Sequence, residues 1–103
     1  MNNITLNGST ISSMKEFHRI LAKALSFPEW YGMNLDALYD CLTDISEETS
    51  VTLNHALEWF QHFGKDAITA VRVMQDVSQF NPHFHFYFGA DQSIMTDDDD
   101  EEF

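Results

Sequence analysis

Lysine and arginine are the residues that this chain most clearly lacks. Its 103 residues include five of them against seventeen aspartates and glutamates, a net charge of −12. Residues 24–64 hold seven acidic side chains and no lysine or arginine. Such a field repels nucleic acid and anionic membranes and attracts basic molecules. We therefore expect a basic protein partner, no nucleic acid and no membrane; a charge that serves solubility alone is the alternative.

Cysteine is nearly absent, and long apolar runs are missing altogether. Cys41 is the single cysteine, so no internal disulfide can form and a reducing compartment is favoured. No apolar stretch approaches the length of a membrane span, and the first residues lack the pattern of a signal peptide. The expected location is the cytoplasm. Apolar residues still make up 44% of the chain, which indicates a globular domain.

Hydrophobic periodicity predicts three strands separated by pairs of helices. The strands are predicted at residues 3–7, 51–53 and 83–88, and the helices at residues 13–25, at 34–42, between Asn54 and Gly64, and from Asp66 to the Asn81-Pro82 turn. The order β-α-α-β-α-α-β predicts an α/β fold, a small three-stranded parallel sheet packed with about four helices. Alternation in the two outer strands indicates that one sheet face is covered less well than the other. We expect one domain over residues 1–90 and an acidic, flexible tail over residues 91–103.

Short signals place the helix starts and the core. Ser13 with Glu16 forms a capping box, and Asn34, Asn54 and Asp66 are predicted N-caps. The apolar positions expected inside the last two helices are Leu57, Phe60 and Phe63 in the first, and Ala67, Ala70, Val71, Met74 and Val77 in the second.

The helix after Asn34 has a face that the core does not need. On a helical wheel Leu35, Leu38 and Leu42 form the core stripe. The opposite side, which we call the acidic face, consists of Asp36, Tyr39, Asp40 and Thr43. Aspartates four residues apart repel each other and weaken the helix by a few tenths of a kcal/mol. An aspartate pair at this spacing is often only a solvated surface, but here the pair lies in a segment without bases and beside aromatic residues.

The segment before this helix, residues 28–33, carries two of those aromatics and is called the aromatic loop. Of Trp30 and Tyr31, one ring is expected to pack inward and the other to stand beside the acidic face. Exposed aromatics among charges are typical of protein-binding hot spots.

Residues 28–43, which read PEWYGMNLDALYDCLT, resemble the barstar family of intracellular inhibitors of an extracellular bacterial ribonuclease. Asn7-Gly8 and the helix containing Phe17-His18 also match, so the resemblance covers roughly residues 4–88. It implies an inhibitor, not an enzyme, that occludes the active site of a small basic ribonuclease with the helix and its preceding loop while the aspartates take the place of RNA phosphates. It implies no cofactor, and we expect a monomer in the absence of the partner.

The resemblance also assigns roles. Asp40 is the central anchor and Asp36 supports it; Gly32 and Asn34 shape the loop and contact the partner. The remaining implied contact residues are Trp30, Tyr39, Thr43 and Asp76. Trp30, Met33, Tyr39 and Asp44 differ from the family pattern, which indicates a related nuclease with a different edge. A non-inhibitory acidic module that binds another basic protein is the alternative function.

Two weaker signals compete with this reading. His83 and His85 share a strand face and could chelate a metal, but a usable site needs a third ligand and nothing nearby in the sequence supplies one. We therefore expect no metal site. Asp36 and Asp40 could serve acid–base catalysis or hold Mg²⁺, but an exposed helix face is a poor place to exclude water.

Overall fold

Three parallel strands form one sheet in the computed structural model, which describes residues 2–89. The elements are β1 (Asn2–Asn7), α1 (Met14–Ala24), α2 (Leu35–Thr43), β2 (Thr49–Asn54), α3 (Ala56–Phe63), α4 (Lys65–Phe80) and β3 (Phe84–Phe88). Strand β2 lies between β1 and β3, so Val51 is in register with Ile4 on one side and with Phe86 on the other. The predicted α/β fold, strand number and element order are confirmed.

The two faces of the sheet have different surroundings, as the alternation predicted. Leu6, Val51, Leu53 and Phe84 are almost fully buried beneath the helices. The other face carries polar side chains that are half-buried or exposed, for example Thr5, Thr52 and Tyr87, which are in register across the three strands. Within residues 2–89, the buried apolar side chains of α1, α2, α3 and α4 therefore belong to one core on the same face of the sheet.

Helix α1 begins and ends as local chemistry dictates. Ser13 Oγ accepts a hydrogen bond from the Glu16 N–H at 3.0 Å, which confirms the predicted N-cap. At the other end Ser26 is left-handed, with φ 57°, and the Phe27 N–H donates to the Ala22 carbonyl at 2.9 Å. This Schellman-type ending turns the chain out of α1 and into the aromatic loop.

The predicted start of α3 is wrong. Asn54 is the last residue of β2, because its carbonyl accepts a hydrogen bond from the Gly8 N–H at 2.8 Å. The residue before α3 is instead His55, which is left-handed. Strand pairing therefore extends β2 through the position where a cap was expected.

The predicted apolar positions of α3 are confirmed in part, since Phe60 and Phe63 pack against the edge of the core. Ala56 and Trp59 are fully buried, whereas Leu57 is 39% exposed. The Trp59 ring packs on Phe17 with centroids 5.0 Å apart. The largest side chain takes the core position, and Phe60 is left at its edge.

Helix α4 begins earlier than predicted, since Gly64 is its N-cap and Asp66 lies in its first turn. Its predicted core is confirmed: all five apolar residues from Ala67 to Val77 are buried. No helix within residues 2–89 is both long and apolar enough to cross a membrane. The predicted acidic tail and the domain boundary at residue 90 lie outside the described residues.

Candidate partner-binding site

Helix α2 is fixed at its start by the predicted cap. Asn34 Oδ1 accepts a hydrogen bond from the Ala37 N–H at 2.8 Å, and its Nδ2 donates to the Gly32 carbonyl at 3.3 Å. Leu38 and Leu42 are fully buried and hold the opposite side of the helix against the core. The acidic face therefore stands on a helix whose position and rotation are set by packing.

Asn81 fixes the other end of α2. This asparagine, buried at the end of α4, donates from Nδ2 to the carbonyls of Leu42 at 3.0 Å, Thr43 at 3.3 Å and Ile45 at 3.1 Å. Carbonyl groups at a helix end lack partners within the helix, and this side chain satisfies those of the last two residues of α2, Leu42 and Thr43. Sequence reasoning missed this contact, because it joins residues about forty positions apart.

Both aspartates of the acidic face are exposed. Within residues 2–89 neither Asp36 nor Asp40 forms an ion pair. Asp36 lies in the first turn of α2, where the helix dipole favours a negative charge. Asp40 lies one turn further on, where that help is weaker. The two carboxylates are thus available to an external cation.

The aromatic loop places its two rings in opposite environments. Tyr31 is 7% exposed, and its hydroxyl lies 2.7 Å from the Nδ1 of buried His18 on α1. Trp30 is 82% exposed. Tyr31 therefore anchors the loop and Trp30 presents a large ring to solvent, which resolves the alternative that the sequence left open.

Burial controls the protonation of the loop anchor. It lowers the pKa of His18, so the neutral imidazole is favoured in the folded protein. Burial also raises the pKa of Tyr31, with a smaller contribution from Cys41. The bond between them therefore joins two neutral groups.

An open groove of about 770 Å³ lies between the aromatic loop and α2. Five of the eight predicted contact residues line it: Trp30, Gly32, Tyr39, Asp40 and Thr43. Cys41 also lines the groove; burial, followed by the charges of Asp44 and Asp40, raises the pKa of its thiol. The groove thus combines exposed rings with the carboxylates of Asp40, Asp44 and Glu47, a pattern suited to binding a cationic surface.

The other three predicted residues lie outside the groove. Asn34 and Asp36 stand at the start of α2, and Asp76 is exposed on α4. Helix α4 also adds Phe80, which is 52% exposed and packs on Tyr39 with ring centroids 6.0 Å apart. Sequence reasoning missed Phe80; an aromatic at the last position of a predicted helix carries no local signal of exposure.

Gly32 and Thr43 act through the backbone of the site. A Cβ at Gly32 would stand 3.1 Å from Asn34 Nδ2, closer than most side chains tolerate, so a larger residue there presses on the cap of α2. Thr43 Oγ1 donates to the Tyr39 carbonyl at 2.7 Å. That bond ties the exposed hydroxyl to the last turn of α2.

His85 of β3 and His83, which directly precedes that strand, share a partner that the sequence did not reveal. Glu48 accepts from His85 Nε2 at 2.7 Å and lies 3.4 Å from His83 Nδ1. The bond from His85 is the main reason why the pKa of Glu48 is lowered. Within the described residues no three histidine, cysteine or acidic side chains are arranged to hold a metal ion. This surface cluster joins the segment before β2 to β3.

The fold and site together define a small α/β protein with an acidic helix held by side-chain hydrogen bonds at both ends, an exposed tryptophan and a groove between them. The chain belongs to the Barstar family: the family model described as Barstar (barnase inhibitor) matches residues 1–91. The family resemblance of the sequence is therefore confirmed.

A curated relative is the Bacillus subtilis (strain 168) protein named "Putative ribonuclease inhibitor YrdF", which is 44% identical over 43 residues. That match covers 42% of this chain and 47% of the relative. The chain thus matches about half the length of this relative.

Proposed function

We propose that this protein inhibits a small basic bacterial ribonuclease by seating α2 and the aromatic loop in its active site. The observation that carries the proposal is the exposed pair Asp36 and Asp40 on a helix fixed at both ends, with no ion pair to either carboxylate within residues 2–89. Membership of the Barstar family supports a ribonuclease as the partner. The proposed role is binding, not catalysis.

Asp40 is the proposed anchor. It lines the groove together with Trp30 and Tyr39, so its carboxylate and the two exposed rings can meet the same cationic cleft. A ribonuclease active site holds phosphate with basic side chains, and a carboxylate forms charge-assisted hydrogen bonds with the same groups. Asp36 and Asp76 stand outside the groove and are proposed to contact the rim of the cleft.

The surrounding residues are proposed to exclude water and set the fit. Trp30 and Tyr39 offer large apolar surfaces with little conformational entropy to lose. Gly32 and Asn34 fix the path of the loop and the start of α2 through the bonds of Asn34. Thr43 is exposed and is proposed to contact the partner through its hydroxyl. Such a rim makes the central charged contact stronger, because it removes competing water. An inhibitor of this kind acts as an intracellular immunity protein or antitoxin.

The first test measures inhibition and affinity with barnase as the probe, comparing the wild-type protein with Asp40→Asn. Loss of a hydrogen-bonded charge costs about 1.5–3 kcal/mol, so we expect affinity to fall at least about tenfold. Asp66→Asn is the matched control, since it removes one exposed carboxylate on α4 outside the site. Equal affinities of wild-type protein and Asp40→Asn would reject the anchor.

The alternative function, a module that binds another basic protein without inhibiting a nuclease, makes a different prediction. Proteins captured from the native cell by the wild-type chain, and lost with Asp40→Asn, would then include no ribonuclease. Both functions use the same face of α2, so this comparison identifies the partner while the loss with Asp40→Asn identifies the binding surface.

A further inference from the structure

Helix α1 carries most of the positive charge of this chain on one line. Lys15, Arg19 and Lys23 are spaced by four residues, fall within an arc of about 80°, and are all exposed. Arg19 pairs with Glu16, while Lys15 and Lys23 form no ion pair within residues 2–89. We call these three residues the basic stripe; it extends for about 12 Å along α1.

The same chain contains a segment of the opposite charge. Residues 97–102 are six consecutive acids, DDDDEE, here called the acidic tail. When extended, six residues span about 20 Å, enough to follow the whole basic stripe. The two segments are therefore complementary in both charge and length.

The described part of the chain ends at the edge of the sheet where β2 also ends. The Gly89 N–H donates to the Leu53 carbonyl at 2.8 Å, and the Gly8 N–H donates to the neighbouring Asn54 carbonyl at the same distance. The ends of β3 and β1 thus flank the end of β2, roughly 10 Å apart.

Helix α1 stands beside that end of the sheet. Phe17 packs on Trp59 of α3, and a Cβ at Gly8 would lie 2.8 Å from the Trp59 Cβ. The eight residue steps from Gly89 to Asp97 reach up to roughly 27 Å. This reach exceeds the width of the sheet and leaves ample chain to meet α1.

Electrostatics selects α1 over the rest of the surface. Residues 24–64 contain seven acids and no lysine or arginine, so they repel a run of carboxylates. The two remaining cations, Lys65 and Arg72, share α4 with Asp66 and Asp76. Only the basic stripe presents three cations in succession.

We propose that the acidic tail docks on the basic stripe of α1 as an intramolecular ion-pair contact. The contact covers three of the five lysine and arginine side chains and leaves Lys65 and Arg72 exposed on α4. Exposed ion pairs are weak and screened by salt, so the contact is strongest at low ionic strength. It does not depend on the identity of the partner.

The test couples amines to carboxylates with a water-soluble carbodiimide in the full-length protein at low salt. An equal mixture of ¹⁴N- and ¹⁵N-labelled protein separates coupling within one molecule from coupling between two. We expect coupled peptides that join Lys15 or Lys23 to residues 97–102, with both peptides carrying the same nitrogen isotope. Their yield should fall several-fold in about 1 M NaCl. Few coupled peptides should involve Lys65. Coupling that favours Lys65, crosses labels or ignores salt would overturn the proposal.

A second measurement needs no chemical coupling. The full-length variant in which Asp97–Asp100 are all changed to asparagine keeps the length of the tail and removes four charges. We expect the backbone amide signals of α1 to shift relative to the wild-type protein, while those around Lys65 and Arg72 stay in place. Unchanged α1 signals would contradict docking on this helix.

Discussion

Trp30 and Tyr31 are adjacent residues of similar size that have opposite structural roles. The Tyr31 ring is buried against His18 and lies 4.9 Å from the Phe27 ring, whereas most of Trp30 contacts only solvent. The anchor determines where the loop lies, and the neighbour occupies the surface that results. Stability and binding should therefore separate at these two positions.

Tyr31→Phe tests the anchor. The change removes the hydroxyl that lies 2.7 Å from His18 Nδ1 and leaves a buried ring nitrogen without that partner. We expect a loss of about 1–3 kcal/mol in the free energy of unfolding, measured by urea denaturation. Trp30→Phe is the control and should change it by less than about 0.5 kcal/mol. The reverse ranking would show that Trp30, not Tyr31, holds the loop.

At the scale of elements, α2 depends on a side chain from the end of α4. Asn81→Asp keeps the oxygen that accepts from the His83 N–H but removes the donors that cap α2. It also places a carboxylate against carbonyls at the negative end of the helix dipole. We expect the free energy of unfolding to fall by about 2 kcal/mol.

Asn3→Asp is the matched control for this prediction. It adds the same charge on the exposed sheet face and keeps the oxygen that accepts from Ser50 Oγ. We expect a change within about 0.5 kcal/mol. If both variants lose the same stability, the effect is general repulsion in an acidic protein and not the loss of a cap.

The elements show which contacts a sequence reveals. The apolar period predicted α2 and the core of α4, because those helices bury one continuous stripe each. It was only partly right for α3, where Phe60 and Phe63 pack at the edge of the core, Trp59 fills its centre and Leu57 is exposed. The expected cap, Asn54, is instead paired as the last residue of β2. The bonds from Asn81 to α2 and between His18 and Tyr31 join segments that are distant in the sequence, so no local sequence pattern predicts them.

The site was predictable to the same extent. The wheel correctly placed Asp36 and Asp40 away from the core, because burial of Leu38 and Leu42 fixes the rotation of α2. It could not decide between Trp30 and Tyr31, since both rings fit a core and the choice depends on His18. Phe80 reaches Tyr39 only through the packing of α4 on α2, which no single helix encodes.

At the scale of the whole molecule, stability should depend on pH through His18. Its pKa lies below 6.5 in the folded protein because the ring is buried, so the unfolded chain binds more protons below that pH. The free energy of unfolding should therefore fall as pH is lowered from about 6.5 and level off below the folded pKa. Denaturant titrations at several pH values measure this slope.

His18→Gln should remove that part of the slope, whereas His62→Gln, at an exposed position, should keep it. Glu48 acts in a separate window: its lowered pKa means that its contribution is lost only as pH falls below 4.5. A slope near pH 6 that survives His18→Gln would assign the effect to another group.

The charge of the whole protein should also set how fast it meets the proposed basic partner. Opposite fields accelerate encounter, and salt screens them over about 10 Å at 0.1 M and about 3 Å at 1 M. With barnase as the probe, we expect the association rate constant to fall at least about tenfold between those salt concentrations, while the dissociation rate constant changes far less.

Asp36→Asn and Asp66→Asn remove one charge each from the first turn of a helix. Removing a charge that faces the partner should weaken the dependence of the association rate constant on salt, so Asp36→Asn should weaken it more than Asp66→Asn does. Equal salt dependence in the two variants would place the docking face elsewhere.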